Sequence, residues 1–248
     1  MPVDIEKLPD KIKQTPHWRI NLQPSSYKIR INEDPKAAFD LVEQSAVTLR
    51  GWPYPFVSNE RLEQIRKQKY IASGSDFLGH IEYWRLYYSG QFIHLFQVRE
   101  KSSDAWHEQL KKHAQQCILE YRRNNNFDIP GFIDITNLLY CLTEIFEFVA
   151  RICGKGLYNN SELEITVGLI NIEKFALITS PSRFWHGYYP ATDSIIKKSW
   201  STKAEQLLSE SADLALKATF YFLSQFGWDN PPVDILRQDQ EKFLSGKI

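Results

Sequence analysis

The strongest β signal along the chain lies at residues 81–98, IEYWRLYYSGQFIHLFQV, where two β-prone runs flank Ser89-Gly90. This pattern predicts a hairpin closed by a two-residue turn. Its register would set Tyr88 against Gln91, Tyr87 against Phe92 and Arg85 against His94. One face would then carry Ile81, Tyr83, Arg85, Tyr87, Phe92, His94, Phe96 and Val98, and the other Glu82, Trp84, Leu86, Tyr88, Gln91, Ile93, Leu95 and Gln97. Both faces are largely apolar, which predicts cover on both sides.

Helical spacing is clearest at 134–153, where Ile135, Leu138, Leu139, Leu142, Ile145, Phe146, Val149 and Ile152 form one stripe behind an Asp134 cap, with Gly154 or Gly156 as the stop. A second amphipathic helix is expected at 104–123, through Trp106, Leu110, Ile118 and Tyr121. Asp34-Pro35 opens another. Thr202 with Glu205 reads as a capping box for a helix to about residue 226. Short helices are expected at 60–68 and after Pro231-Pro232, and strands at 17–22, 27–31, 70–72 and 194–200. Residues 163–179 read as two strands around Asn171-Ile172-Glu173-Lys174. In TLRGWPYPFV, Gly51, Pro53 and Pro55 preclude a helix, and Trp52, Tyr54 and Phe56 predict a folded loop pinned to the core. The sum is α+β: antiparallel hairpins packed against amphipathic helices, with a soft boundary at 124–131 separating a half at 1–126 from one at 127–248.

Composition narrows the classes. With 43% hydrophobic and 24% charged residues the chain can bury a core. Thirty Lys+Arg against thirty Asp+Glu argue against a dedicated non-specific nucleic-acid binder. Residues 1–14 hold three acids and no apolar core, so no secretory signal is expected, and no apolar run reaches membrane-span length. The expectation is a cytoplasmic protein with reduced thiols and no membrane contact.

The chemistry-bearing residues are sparse. No C-x-x-C, H-E-x-x-H or H-x-H occurs, and His107 and His113 would not share a helix face, so no metal is expected. Cys153-Gly154-Lys155-Gly156 lacks the Walker pattern and reads as a helix stop, and no cofactor is expected. Cys117 and Cys141 fall on or beside apolar stripes, and Cys153 at a helix C-terminus meets the wrong end of the dipole, so none reads as an activated nucleophile. Glu162 and Glu164 share one side of an expected strand and are the acids a metal-dependent nuclease would use. Arg85 with His94 among aromatics forms a polar pair on a sheet, read first as buried structure and second as a base-stacking platform. The loop Arg183, Phe184, Trp185, His186, Gly187, Tyr188, Tyr189 holds the residue types that anchor interfaces, although a core-capping loop is the plainer reading.

Arg50-Gly51-Trp52-Pro53 within LRGWPYPF, Glu82-Tyr83-Trp84-Arg85 with Ser89-Gly90-Gln91-Phe92, and FGWDNPP at 226–232 together resemble an uncharacterised bacterial family with an R-G-W-x-[FY]-P signature. In some members the comparable region follows a Schlafen-type AlbA DNA-binding domain. The resemblance implies an accessory or partner-binding module of a multi-component system, linked to defence or mobile elements. The leading expectation is thus a non-catalytic module that contacts another protein or a second copy of itself. The alternative is nucleic-acid association through Lys11, Lys13, Arg19, Arg122, Arg123, Lys197 and Lys198. An unrecognised hydrolase or nuclease is the third.

Overall fold

The computed structural model describes residues 3–31, 33–57, 63–77, 80–99, 112–113, 130–159, 161–179 and 189–247. The expected helix at 104–123, apart from 112–113, and the loop at 182–188 lie outside these residues.

The fold is α+β. Among the described residues seven strands form one antiparallel sheet: β1 (His17–Pro24), β2 (Gln64–Arg66), β3 (Tyr70–Phe77), β4 (His80–Tyr87), β5 (Phe92–Gln97), β7 (Glu162–Ile170) and β9 (Ile195–Lys203), in the order β2-β3-β4-β5-β1-β7-β9. β1 pairs with β5 on one side and β7 on the other, so the sheet draws strands from both sides of residues 124–131. β6 (Phe132–Asp134) and β8 (Ala176–Ile178) form a separate parallel pair. The expected strands at 163–179 are therefore both present but belong to different sheets. No strand forms at 27–31, where Tyr27 is 87% exposed. In place of a helix through 60–68, residues 64–66 form β2.

One sheet face packs on helices α2 (Pro35–Ser45), α3 (Ile135–Gly154) and α4 (Ala204–Gln225), with α5 (Val233–Leu244) against α3 and α4. Trp18, Ile20, Leu22, Trp84, Leu86, Phe92, Phe96, Ile165 and Val167 enter the core from the sheet, and the α3 stripe meets them. Asp34 and Asp134 cap α2 and α3 by accepting from the backbone N–H of Lys36 and Thr136. The Thr202–Glu205 capping box does not form. β9 runs on through Lys203, and the Thr202 hydroxyl bonds the Gln206 side chain instead.

The opposite sheet face is covered at one end by α1 (Leu8–Lys13), whose Leu8 and Ile12 pack on Ala72, Ile81, Tyr83 and Leu95. Gly74 permits this approach, since a Cβ there would lie 2.8 Å from Leu8 Cδ1. Elsewhere Arg19, Asn21, Arg85, Tyr87 and Ile93 on this face remain at least partly exposed, so cover on both sides holds only where α1 sits.

The β4–β5 hairpin turns through three residues, not two. Gly90 takes φ +90° and donates its N–H to the Tyr87 carbonyl, and Tyr87 then opposes Gln91. The register is consequently one residue from that expected: Trp84 faces His94, Arg85 faces Ile93 and Glu82 faces Phe96. A one-residue slip exchanges faces, because side chains alternate with period two. Arg85 and His94 thus stand on opposite sides of the sheet and form no pair.

Candidate functional site

The TLRGWPYPFV loop folds back on itself, with Val47 and Tyr54 exchanging two backbone hydrogen bonds of 2.8 Å. Gly51 at its tip adopts φ +76°, a left-handed conformation that favours glycine. This geometry sends Arg50 onto α3, where Asn137, Cys141 and Glu144 recur at helical spacing on one face. Arg50 Nε donates to Glu144 Oε1 at 3.1 Å, Nη2 to Glu144 Oε2 and to the Cys141 sulfur, and Nη1 to Asn137 Oδ1 at 2.6 Å. The Glu144 side chain is 3% exposed and that of Arg50 17%, so this is a buried, forked ion pair.

Trp52 lies on the other side of the loop. Its ring stacks on Phe56 at 4.7 Å and lies within 9° of parallel to Phe77 at 6.1 Å, with His80 edge-on. Its indole Nε1 donates to Glu82 Oε1 at 3.3 Å. Glu82, at the start of β4, is 2% exposed on the helix-covered face, with His94 Nε2 at 3.1 Å from Oε2 and His80 Nε2 at 3.8 Å from Oε1. Burial favours the neutral acid, but the nearby His80 imidazole and the hydrogen bond to His94 outweigh it and hold Glu82 well below the usual carboxylate range. Burial pushes His94 down, so it stays neutral against the pull of Glu82. An ionised Glu82 requires the proton of neutral His94 on Nε2, which leaves Nδ1 an acceptor. That Nδ1 has no hydrogen-bond partner among the described residues, and Tyr54, Phe92 and Phe96 surround the ring.

Between these groups is a cavity of about 300 Å³, walled by Trp52, Pro53, Tyr54, Phe77 and Phe96 and bordered by Arg50, His80, Glu82, Arg99 and Glu144. The Tyr54 hydroxyl is buried and also without a partner among the described residues, and burial holds the phenol un-ionised.

The signature loop therefore enters the site, with Arg50, Trp52 and Pro53 bordering the cavity and Gly51 setting the bend. Glu82, His80, Phe77 and Glu144 were missed. Glu144 and Asn137 left one signal: polar groups within a helix apolar on nearly every side, which demands a partner in the core.

The other candidates are dispersed. Arg85 sits on the less covered face, donating to the hydroxyls of Tyr83 at 2.9 Å and Tyr87 at 3.0 Å, with its guanidinium 4.2 Å from the Tyr70 ring. Of the aromatic loop, Arg183, Phe184, Trp185, His186 and Tyr188 lie outside the described residues, while Tyr189 stacks on Trp228 and packs against the core. Lys11 pairs with Asp76 and Lys13 with Asp10. Arg19 and Lys197 flank Gly168 on the same sheet face. Lys198 points to the other face, 5.2 Å from the Tyr221 ring centre. Arg122 and Arg123 lie outside the described residues. Glu162 and Glu164 are exposed on β7, and among the described residues no three His, Cys, Asp or Glu side chains are grouped to hold a metal ion. Cys141 and Cys153 are buried cysteines outside any disulfide, and burial pushes Cys153 up to about 12. No helix among the described residues is long and apolar enough to cross a membrane. No protein family, curated protein or solved structure matches the chain.

Proposed function

We propose that the protein is a binding module of a multi-component system, and that the cavity beneath Arg50-Gly51-Trp52-Pro53 receives a group from its partner protein. The observation that carries this is Glu82: an ionised carboxylate sequestered beside an aromatic-walled cavity, a costly arrangement for a core that only needs to pack. Binding suits the site better than catalysis. The free His94 nitrogen is enclosed by rings rather than set on the cavity wall, and Arg50 is engaged with Glu144. Cavity-lining aromatics with a few convergent polar groups are the usual composition of a recognition pocket. Comparative co-purification by wild type and Trp52→Ala tests the reading. A partner retained by wild type and lost by a folded Trp52→Ala protein supports it, and equal retention overturns it.

A second reading, nucleic-acid association, is favoured by Arg19 and Lys197 flanking Gly168 on an incompletely covered sheet face. Binding of single-stranded oligonucleotides that weakens steeply with salt, and with a shallower salt slope in Arg19→Ala/Lys197→Ala, would support it. No affinity at low salt eliminates it.

A further inference from the structure

We infer that the group received by this cavity is an organic cation, a basic side chain of the partner protein. The inference rests on the binding reading above and names its ligand chemistry. The buried charges at the cavity do not cancel. Arg50 and Glu144 neutralise one another through their forked pair. Glu82 is met by the Trp52 indole N–H and by the imidazoles of His80 and His94, and no lysine or arginine among the described residues forms an ion pair with it. Deep in the site there is thus one carboxylate with hydrogen-bond donors but no lysine or arginine against it. A neutral occupant leaves that charge as it is, and an anionic occupant adds repulsion in a poorly solvated place. A cation compensates it.

The walls favour the same class. Trp52, Tyr54, Phe77 and Phe96 line the cavity, and ammonium and guanidinium groups are attracted to aromatic rings, most strongly to tryptophan. Phe77 is 56% exposed, a large ring held at the surface beside Trp52, where an entering alkyl stem would cover it. Tyr54 contributes a second, independent sign. Its hydroxyl is buried without a partner among the described residues, and a phenol oxygen can accept from an ammonium or guanidinium N–H. At about 300 Å³ the cavity has room for a group of lysine or arginine side-chain size, given roughly 30 Å³ per water-sized unit. Arg99, exposed at the cavity border, makes an anion the competing occupant.

The test titrates the intact protein with n-butylammonium, n-propylguanidinium, n-butanol and butyrate, following the Trp52 indole N–H resonance, which reports on the bond to Glu82. Saturable shifts by the two cations, with dissociation constants on the order of millimolar for ligands this small and at least tenfold tighter than butanol or butyrate, are expected. Equal or tighter binding of butanol or butyrate, or no response to any probe, overturns the inference. Glu82→Gln should reduce n-butylammonium to the level of butanol. If that variant does not fold, Tyr54→Phe should weaken both cations several-fold and more than it weakens butanol. n-Butylammonium should also displace the Trp52-dependent partner, and a partner that stays bound at saturation excludes its side chain as the occupant. A partner that depends on Trp52 while the cavity shows no cation preference would sink this inference and leave the binding reading standing.

Discussion

Arg50 and Glu144, 94 residues apart in the chain, meet in a forked ion pair that ties the glycine-tipped loop to the middle of α3. The geometry fixes both sides of the cavity at once. Arg50 holds the loop, and the loop in turn sets Trp52 against Phe56, Phe77 and Glu82.

Breaking this pair from one side should be more costly than removing it. Glu144→Ala leaves a largely buried guanidinium facing only Asn137 and Cys141, and should destabilise by about 3 kcal/mol. For a chain of this size that is a fall in Tm of about 6–12 °C. Arg50→Lys should lose much of the same stability, because an ammonium cannot reproduce the fork. The double variant Arg50→Met/Glu144→Leu should recover part of it. Thermal unfolding of the four proteins checks the order, and a double variant less stable than both single ones would contradict it.

Acid should unfold the protein in two stages. The pKa of His94 lies below the 6.5 of a free histidine because burial outweighs the bond to Glu82. The unfolded chain therefore takes up this proton first, and the His94 contribution is complete above pH 6.5 and declines as the pH falls below it. Glu82 is held at about 2, below its ordinary 4.5, so its contribution is complete above 4.5 and is lost as the pH falls from there towards 2. His17, also depressed by burial, adds to the first stage. His94→Gln keeps a donor for Glu82 but cannot titrate. Denaturant unfolding from pH 7.5 to 3.5 should show a smaller loss between pH 6.5 and 5 in this variant, and a smaller lower stage as well, because His94 also helps to hold Glu82 down.

The packing of α1 can be tested away from the cavity with Ile12, and at the Glu82 strand with Gly74. Ile12 is fully buried against Ala72, Ile81, Tyr83 and Leu95, and Ile12→Ala should cost about 3 kcal/mol. Gly74→Ala places a Cβ 2.5 Å from the Glu82 carbonyl oxygen and 2.8 Å from Leu8, so it should destabilise to a similar degree. Hydrogen exchange would show α1 losing protection before α3.

Elements whose signals are local could be read from the chain. The α3 stripe with its Asp134 cap, the Asp34-Pro35 helix start and the existence of the 81–98 hairpin depend on residues within a few positions of one another. The pairing of β1 with β7 depends on contacts more than 130 positions apart, such as His17 with Ile170, for which no local pattern exists. The site divides in the same way. Arg50 and Trp52 stand out because glycine and proline force a loop around them, whereas the expected register put Glu82 and His94 on opposite faces of the hairpin. One residue of turn length was enough to separate Glu82 from His94 and to invent a pair between Arg85 and His94.

That turn length makes the last prediction. Gly90 is left-handed at φ +90°, and a Cβ there would lie 2.6 Å from Arg30 Cδ and 3.2 Å from the Tyr158 ring. Its carbonyl accepts from the buried Tyr158 hydroxyl at 2.7 Å. Gly90→Ala should therefore pay a conformational penalty of about 1–2 kcal/mol and, in addition, force Arg30 aside. Gly90→Asn, whose side chain tolerates the left-handed region better, should still suffer the crowding and recover only part of the loss. Tyr158→Phe leaves the Gly90 carbonyl without that donor and should cost about 1 kcal/mol. A two-residue turn would pair Tyr87 with Phe92, whereas the three-residue turn pairs Leu86 with Phe92 and Trp84 with His94. Cross-strand nuclear Overhauser contacts between Trp84 and His94 in the wild type distinguish the two registers directly, and their absence would refute the three-residue turn on which the position of Glu82 depends.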